Sequence, residues 1–172
     1  MQEAFTIFAT VGNDVHPFPR FLNWVRSALA AFPGSRCVLQ YGLNDVSDDP
    51  SIEATAFVGH DRFEELMHTA DRVICHGGTG TLFPAIRCGK RPLVIPRLAR
   101  FGEHVNDHQL DIMSALADAG LVLPVLSAPG LADALRQFPS TSQQIAALPS
   151  NEMMLLMVEN FLRTAMPGQF GR

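Results

Sequence analysis

The stretch that decides the fold runs Asp71-Arg72-Val73-Ile74-Cys75-His76-Gly77-Gly78-Thr79-Gly80-Thr81. It reads as a short buried strand, a glycine-rich turn and the first turn of a helix. The first N–H groups of a helix have no partner within the helix, and its dipole adds partial positive charge. Glycines let an anion approach the backbone, and threonine hydroxyls add donors. The sequence therefore predicts a site for a phosphate-bearing ligand at residues 76–81.

Two known phosphate loops do not match this stretch. A Walker loop needs a lysine after its last glycine, whereas Thr81 follows Gly80. The segment from Gly77 to Gly80 does not form Gly-x-Gly-x-x-Gly, and it follows the fourth strand rather than the first. ATP hydrolysis and nicotinamide binding are therefore not predicted, and no cofactor is expected. A tight strand-to-helix connection without a ligand remains the alternative interpretation.

The rest of the chain alternates apolar runs with helical spacing. Strands are predicted at residues 5–11, 37–41, 54–58, 73–75, 93–95 and 121–126, and helices at about 20–32, 62–70, 79–89, 105–119, 130–138 and 151–165. Continuous apolar strands are typical of a parallel sheet covered on both faces. We predict a Rossmann-like three-layer α/β domain at 1–166 and a tail at 167–172. Its loops 12–18, 76–81 and 97–109 should meet at one sheet edge.

Composition narrows the class of protein. A formal charge of −4 over 172 residues gives no electrostatic case for nucleic-acid binding. Three cysteines without metal-like spacing suit a reducing, cytoplasmic setting. The N-terminus shows no signal peptide, and no run approaches the roughly 18 apolar residues of a spanning helix. We therefore expect any contact with a membrane to be peripheral or through another protein.

A second group of polar residues lies at a loop-to-helix junction. Carboxylate, amide and imidazole groups here can bind several sugar hydroxyls; the residues are Glu103, His104, Asn106, Asp107, His108 and Gln109. Helix capping by Asn106 or Asp107 is an equally simple interpretation. A metal site using His104 and His108 lacks a His-Glu-x-x-His pattern and an obvious third ligand beyond Glu103, so no metal is predicted.

A third group follows the first strand. Gly12 ends that strand and allows close approach of a substrate, while Asp14 and His16 are candidate general bases. The alternative is a turn in which Asn13 and Asp14 bond their own backbone.

Together these motifs resemble a known family. His76-Gly77-Gly78-Thr79-Gly80-Thr81, then Gly89-Lys90, a strand ending at Pro96, and Asn106-Asp107-His108-Gln109 look like the donor-binding C-terminal half of GT-B glycosyltransferases, with family 28 as the nearest group. The start, Phe8-Ala9-Thr10-Val11-Gly12, is similar to free-standing members that carry only this half. Those small subunits work with a membrane-bound subunit that supplies the acceptor half.

The resemblance implies a role for each matched residue. Residues 77–81 would hold the diphosphate of a UDP-sugar, and His76 would contact phosphate and, as an imidazolium, offset charge on the leaving UDP. Asn106 and Gln109 would hold sugar hydroxyls, with Asp107 and His108 near them. Phe57 and Val58 fall where the family's backbone binds uracil. The family's ribose-binding glutamate is absent, because Pro84 stands five residues before Gly89.

The resemblance also implies the function. We expect a UDP-sugar-binding subunit of an inverting, metal-independent glycosyltransferase. It would transfer glucuronic acid or N-acetylglucosamine to a lipid-linked acceptor, at the cytoplasmic face of the membrane through its partner. The base would be His16 or Asp14, or would lie on the partner. The alternative is a non-catalytic nucleotide-sugar-binding regulatory module. Whether two copies pair when the partner is absent is open.

Overall fold

The computed structural model describes residues 4–137, which fold as an α/β domain. Its elements in chain order are β1 (Thr6–Thr10), α1 (Pro19–Leu29), β2 (Arg36–Gln40), β3 (Ile52–Thr55), α2 (His60–Thr69), β4 (Arg72–Cys75), α3 (Thr79–Arg87), β5 (Leu93–Val94), a 3-10 turn (Ala99–Phe101), α4 (His108–Asp118), β6 (Leu123–Pro124) and α5 (Ala128–Gln137).

The described strands form one parallel sheet in the order β3-β2-β1-β4-β5-β6. The chain therefore runs outward from β1 to β3, returns to β4 beside β1, and continues to the other edge. Ligands of open α/β sheets bind beyond the carboxyl ends of the strands where the order reverses. Here that point lies between the loop after β1 and the glycine loop after β4.

Helices cover both faces of the sheet, as the apolar strands predict. Successive residues of β1 point to opposite faces. Ile7 and Ala9 belong to the apolar cluster under α1 and α5, whereas Phe8 belongs to the cluster under α2, α3 and α4. All three of these side chains are buried. The Rossmann-like three-layer fold is therefore confirmed.

Several boundaries differ from the predictions. β3 spans Ile52–Thr55 rather than 54–58, because an edge strand with half-exposed residues does not show the apolar run of a buried one. α4 begins at His108 rather than at residue 105, and β6 is two residues long. Gly89, with φ of 73°, follows α3 as a helix-ending glycine should. The predicted helix at 151–165 and the tail at 167–172 lie outside the described residues.

The described helices are also informative about membranes. None of those between residues 4 and 137 combines the length and the apolar character that crossing a bilayer requires.

Candidate functional site

The glycine loop ends with three free backbone donors. No side chain caps the start of α3. Within residues 4–137, the N–H groups of Gly78, Thr79 and Gly80 have no acceptor. Thr79 and Gly80 are exposed at the N-terminal end of α3. Free N–H groups and the helix dipole together form an anion-binding end.

The two ends of the predicted loop are instead occupied within the protein. The N–H of Gly77 donates to Oε1 of Gln109 at 3.0 Å. The N–H of Thr81 donates to the carbonyl of Gly78 at 3.0 Å. A side chain at Gly77 would lie 2.8 Å from Cβ of Gln109, so this glycine serves close packing. Within the predicted diphosphate loop at 77–81, the backbone donors that remain free are therefore those between Gly77 and Thr81.

His76 is held between the glycine loop and the loop after β1. A Cβ atom at Gly12 or at Gly78 would overlap the imidazole ring, and Gly12 also has φ of 76°. Both glycines are therefore needed where they stand, because any side chain would displace the ring. The same ring thus packs against the anion-binding loop and against the loop that carries the candidate base.

The electrostatics of His76 differ from the expectation. Burial, and to a lesser extent the charge of the neighbouring Arg97 guanidinium, lowers the pKa of His76 to about 4. The imidazole is therefore neutral at pH 7 in the unliganded protein, and the imidazolium predicted beside the leaving UDP requires a bound anion that raises this pKa. Its Nδ1 is buried and has no hydrogen-bond partner among residues 4–137. A buried polar atom of this kind normally has a partner such as an ordered water or a ligand.

A cavity of about 500 Å³ opens beside the free donors. Five of the predicted site residues line it: Gly12, Val58, His76, Gly80 and Thr81. Phe57 is not part of the lining, and its carbonyl accepts a bond from the Thr55 hydroxyl at 3.2 Å. The sequence analysis missed several lining residues, namely Asn13, Gln40, His60, Phe63 and Glu64. Their shared signal is position, because they follow or lie at the carboxyl ends of β1, β2 and β3.

The loop after β1 holds an imidazole–carboxylate pair. Nδ1 of His16 lies 2.6 Å from Oδ1 of Asp14, and the N–H of His16 donates to the same oxygen at 2.8 Å. Burial raises the pKa of Asp14, but these bonds and the charge of Arg97 outweigh burial, so the pKa lies below its usual value. An ionised Asp14 accepts a hydrogen bond from Nδ1–H of His16, so that Nε2 of the same ring is free to act as a base. Asp14 also forms the predicted turn.

The loop after β5 contains a buried charge network that the sequence analysis missed. Arg97 is fully buried, and its Nη atoms donate to the carbonyls of Val11, His16 and Glu103 at 2.8, 2.7 and 3.1 Å. The guanidinium also stacks over the ring of Phe18, 4.7 Å from its centroid. Arg97 therefore fastens the loop after β1 to the loop after β5.

Glu103 belongs to the same network rather than to a sugar site. It is buried, and its two carboxylate oxygens accept bonds from Nε and Nη2 of Arg20 at 2.9 and 2.6 Å. One oxygen also accepts from the N–H of Leu98 at 3.0 Å. The structure gives no support to the predicted sugar contact of Glu103, because both oxygens are occupied and shielded from solvent.

Gln109 is likewise occupied at its amide oxygen. Its buried Oε1 accepts from the N–H of Arg97 as well as from Gly77, both at 3.0 Å. The predicted sugar contact of Gln109 is therefore left to Nε2, which has no acceptor among residues 4–137. Gln109 instead connects the glycine loop to the network around Arg97.

The remaining polar residues of this junction are near the surface. Asp107 precedes α4 but does not cap it with its side chain; Oδ1 accepts from the N–H of Ala99 at 2.7 Å. Asn106 Oδ1 accepts from the N–H of His108 at 3.3 Å and contacts the His108 ring. The rings of His104 and His108 meet edge to face, with centroids 4.6 Å apart. Among residues 4–137, no three His, Cys, Asp or Glu side chains are grouped as a metal site.

Comparison with known proteins identifies the family of this chain. The model of the glycosyltransferase family 28 C-terminal domain matches residues 6–161. The chain belongs to this family. A human relative, UDP-N-acetylglucosamine transferase subunit ALG13, is 31% identical over 124 residues, which cover 67% of this chain and 11% of ALG13. The chain thus spans about a ninth of that relative.

Solved structures confirm the fold. MurG of Acinetobacter baumannii has a TM-score of 0.64 at 17% identity, over 92% of this chain and 50% of MurG. The NMR structure of ALG13 has a TM-score of 0.59 at 19% identity, over 92% of this chain and 98% of that chain. The described domain therefore has the Rossmann-like fold found in one half of GT-B glycosyltransferases.

Proposed function

We propose that this chain is the UDP-sugar-binding subunit of an inverting glycosyltransferase. The observation that carries the proposal is the row of free N–H groups at Gly78, Thr79 and Gly80, which adjoins a cavity of about 500 Å³. A cavity of this size suits a nucleotide. Family membership supports a nucleotide-sugar donor, and the name of the human relative supports UDP as its nucleotide.

The proposed reaction is a single displacement at the anomeric carbon. The acceptor hydroxyl attacks that carbon, and its proton passes to Nε2 of His16, which Asp14 orients through Nδ1. The bond from the anomeric carbon to the β-phosphate oxygen breaks, and the electron pair leaves with UDP. The free donors at the start of α3 stabilise the charge that develops there. His76 contributes a hydrogen bond to a phosphate oxygen.

The acceptor belongs to a second protein in this proposal. The human relative is named as a subunit, which supports a partner that supplies the acceptor half. We propose that this partner is membrane-bound, that the acceptor is lipid-linked, and that the chain works at the cytoplasmic face. Glucuronic acid and N-acetylglucosamine are the proposed sugars. His104 Nε2 lies 3.6 Å from the other oxygen of Asp14, so the base lies in a polar cluster at this edge.

Calorimetric titration with UDP and a panel of UDP-sugars tests the donor site. Gly80 is the best position, because a Cβ atom there meets nothing within 4 Å and the backbone is helical. Gly80→Ala should therefore fold and bind about as the wild type does. Gly80→Asp should fold as well, since a carboxylate suits a helix N-terminus, but its charge should weaken UDP binding by about tenfold or more.

The comparison of the two Gly80 variants decides the proposal. Equal UDP affinity in Gly80→Asp and Gly80→Ala would contradict an anion site at α3. The sugar that binds most tightly identifies the donor. Transfer assays then separate the classes of function: the chain alone should turn over poorly, and robust transfer without a partner would contradict the two-subunit proposal. Tight binding without transfer when a partner is present would indicate the regulatory module instead.

A further inference from the structure

The cavity beside the anion site contains a carboxylate that the proposed chemistry does not use. Among the lining residues, Glu64 supplies the one carboxylate. It lies on α2, and Nε2 of His60, one turn earlier, is 3.6 Å from its Oε1. Pro84 of α3 lines the same cavity and offers neither an acid group nor an N–H. Glu64 therefore provides negative charge on the wall formed by α2.

A carboxylate repels phosphate and accepts hydrogen bonds from hydroxyl groups. A carboxylate beside an anion site therefore favours a ligand that carries hydroxyl donors next to its phosphates. A nucleotide does this through its ribose, whose two hydroxyls can both donate to one carboxylate. Uracil is a poorer partner for a carboxylate, because its single ring N–H lies between two carbonyl oxygens and the carboxylate repels these oxygens. The apolar side chains of Val58 and Phe63 line the same cavity and suit the flat base.

The position of the candidate base separates the ribose from the transferred sugar. Asp14 and His16 do not line this cavity, although Gly12 and Asn13 do. The anomeric carbon must lie near His16, so the transferred sugar belongs outside the cavity. The nucleoside, on the other side of the diphosphate, then belongs inside it.

We infer that Glu64, supported by His60, binds the ribose hydroxyls of the nucleoside diphosphate. This inference rests on the proposed function. The side chain of Glu64 is 59% exposed without ligand, so the contact should have the strength of a hydrogen bond near the protein surface. Charge-assisted bonds of this kind correspond to about a tenfold change in affinity.

The test compares UDP with 2′-deoxy-UDP by calorimetry. The ratio of the two affinities reports the ribose contact, because both nucleotides carry the same charge. The wild type should bind UDP about tenfold more tightly, and Glu64→Gln should reduce that ratio to about twofold. Inorganic diphosphate, which lacks ribose, should bind Glu64→Gln at least as tightly as the wild type, since a repulsive charge is removed.

Glu65→Gln is the matched control. Glu65 is the next residue on the same exposed turn, but it pairs with Arg62 at 2.8 Å and does not line the cavity. Its ratio should equal that of the wild type. A wild type that binds both nucleotides equally, or a Glu64→Gln variant that keeps the full ratio, would overturn the ribose contact and leave the donor site intact. If neither nucleotide binds the wild type, the donor site and the ribose contact are both overturned.

Discussion

Two polar loops follow the neighbouring strands β4 and β5, and they use their polar groups in opposite ways. The loop after β4 leaves three backbone donors free beside a cavity. The loop after β5 has more charged side chains, yet Arg97 and Glu103 are buried and bonded within the protein. A high density of polar residues therefore does not identify a binding site. Unoccupied donors at an accessible edge do.

The second loop nevertheless makes the first possible. Gln109 Oε1 holds the N–H of Gly77 and the N–H of Arg97, so it joins the two loops. Arg97 in turn holds the carbonyl of His16 at 2.7 Å and thereby positions the candidate base. We infer that the loop after β5 acts as a support that fixes the geometry of the other two loops.

The largest effect should come from Arg97→Met. The substitution removes the donor from three carbonyl groups of two loops and takes away a positive charge that acts on Asp14 and Glu103, of which Glu103 keeps its pairing with Arg20. Loss of one side of a buried charged network costs about 3–5 kcal/mol in the free energy of unfolding. Urea denaturation at pH 7 measures the change.

Arg100→Met is the control for this comparison. Arg100 lies three residues later, is exposed, and stacks on Phe101 at 4.8 Å from the ring centroid. Its replacement should change the free energy of unfolding by less than about 1 kcal/mol. Similar losses in both variants would show that Arg97 is no more than a surface cation, and the supporting role would have to be abandoned.

The next effect is a dependence of stability on pH that comes from His76. Because its pKa falls from 6.5 to about 4 on folding, the unfolded chain binds more protons between these values. The neutral ring therefore contributes to the free energy of unfolding in full above about pH 6.5, and this contribution is lost as the pH falls towards 4. The loss amounts to at most about 3 kcal/mol. Between pH 4 and 6.5, the free energy of unfolding should depend less steeply on pH in His76→Asn than in the wild type.

A bound anion should shift this titration in the opposite direction. Inorganic diphosphate beside the imidazole favours its charged form, so saturating diphosphate should raise the pKa of His76. An NMR titration of the His76 ring protons follows this directly. An unchanged pKa would place the anion away from His76, and identical pH dependence in the wild type and His76→Asn would contradict the buried neutral state.

Sequence could predict the features that depend on local pattern. The apolar runs of β1 and β4 and the glycine loop follow from neighbouring residues, and the structure contains all three. The boundaries of β3 were harder to predict from the sequence, because an edge strand has half-exposed residues that resemble a loop.

The roles of the charged residues could not be read in the same way. Arg97 and Glu103 look like surface residues in the sequence, and their burial depends on Arg20 and Val11, which lie about 80 residues away along the chain. Glu64 has the opposite difficulty, since an acid on an exposed helical turn is indistinguishable from its neighbour Glu65 until the cavity is known. Tertiary contact, rather than residue type, separates support from site.

The smallest effect tests that separation at Glu103 itself. Glu103→Gln keeps the shape but replaces one oxygen with an amide group that cannot accept from Arg20 or Leu98. We expect a loss of about 2 kcal/mol in the free energy of unfolding, because buried charged hydrogen bonds are lost. Asp107→Asn, at an exposed carboxylate of the same loop with one bond to Ala99, should lose less than half as much.

If Glu103 supports the loop rather than binding sugar, UDP-sugar affinity measured well below the midpoint of unfolding should fall less than about threefold, which corresponds to less than 1 kcal/mol. A large loss of affinity with unchanged stability would reverse the assignment and return Glu103 to the sugar site, since an acid that contacts ligand alone contributes to binding without contributing to folding.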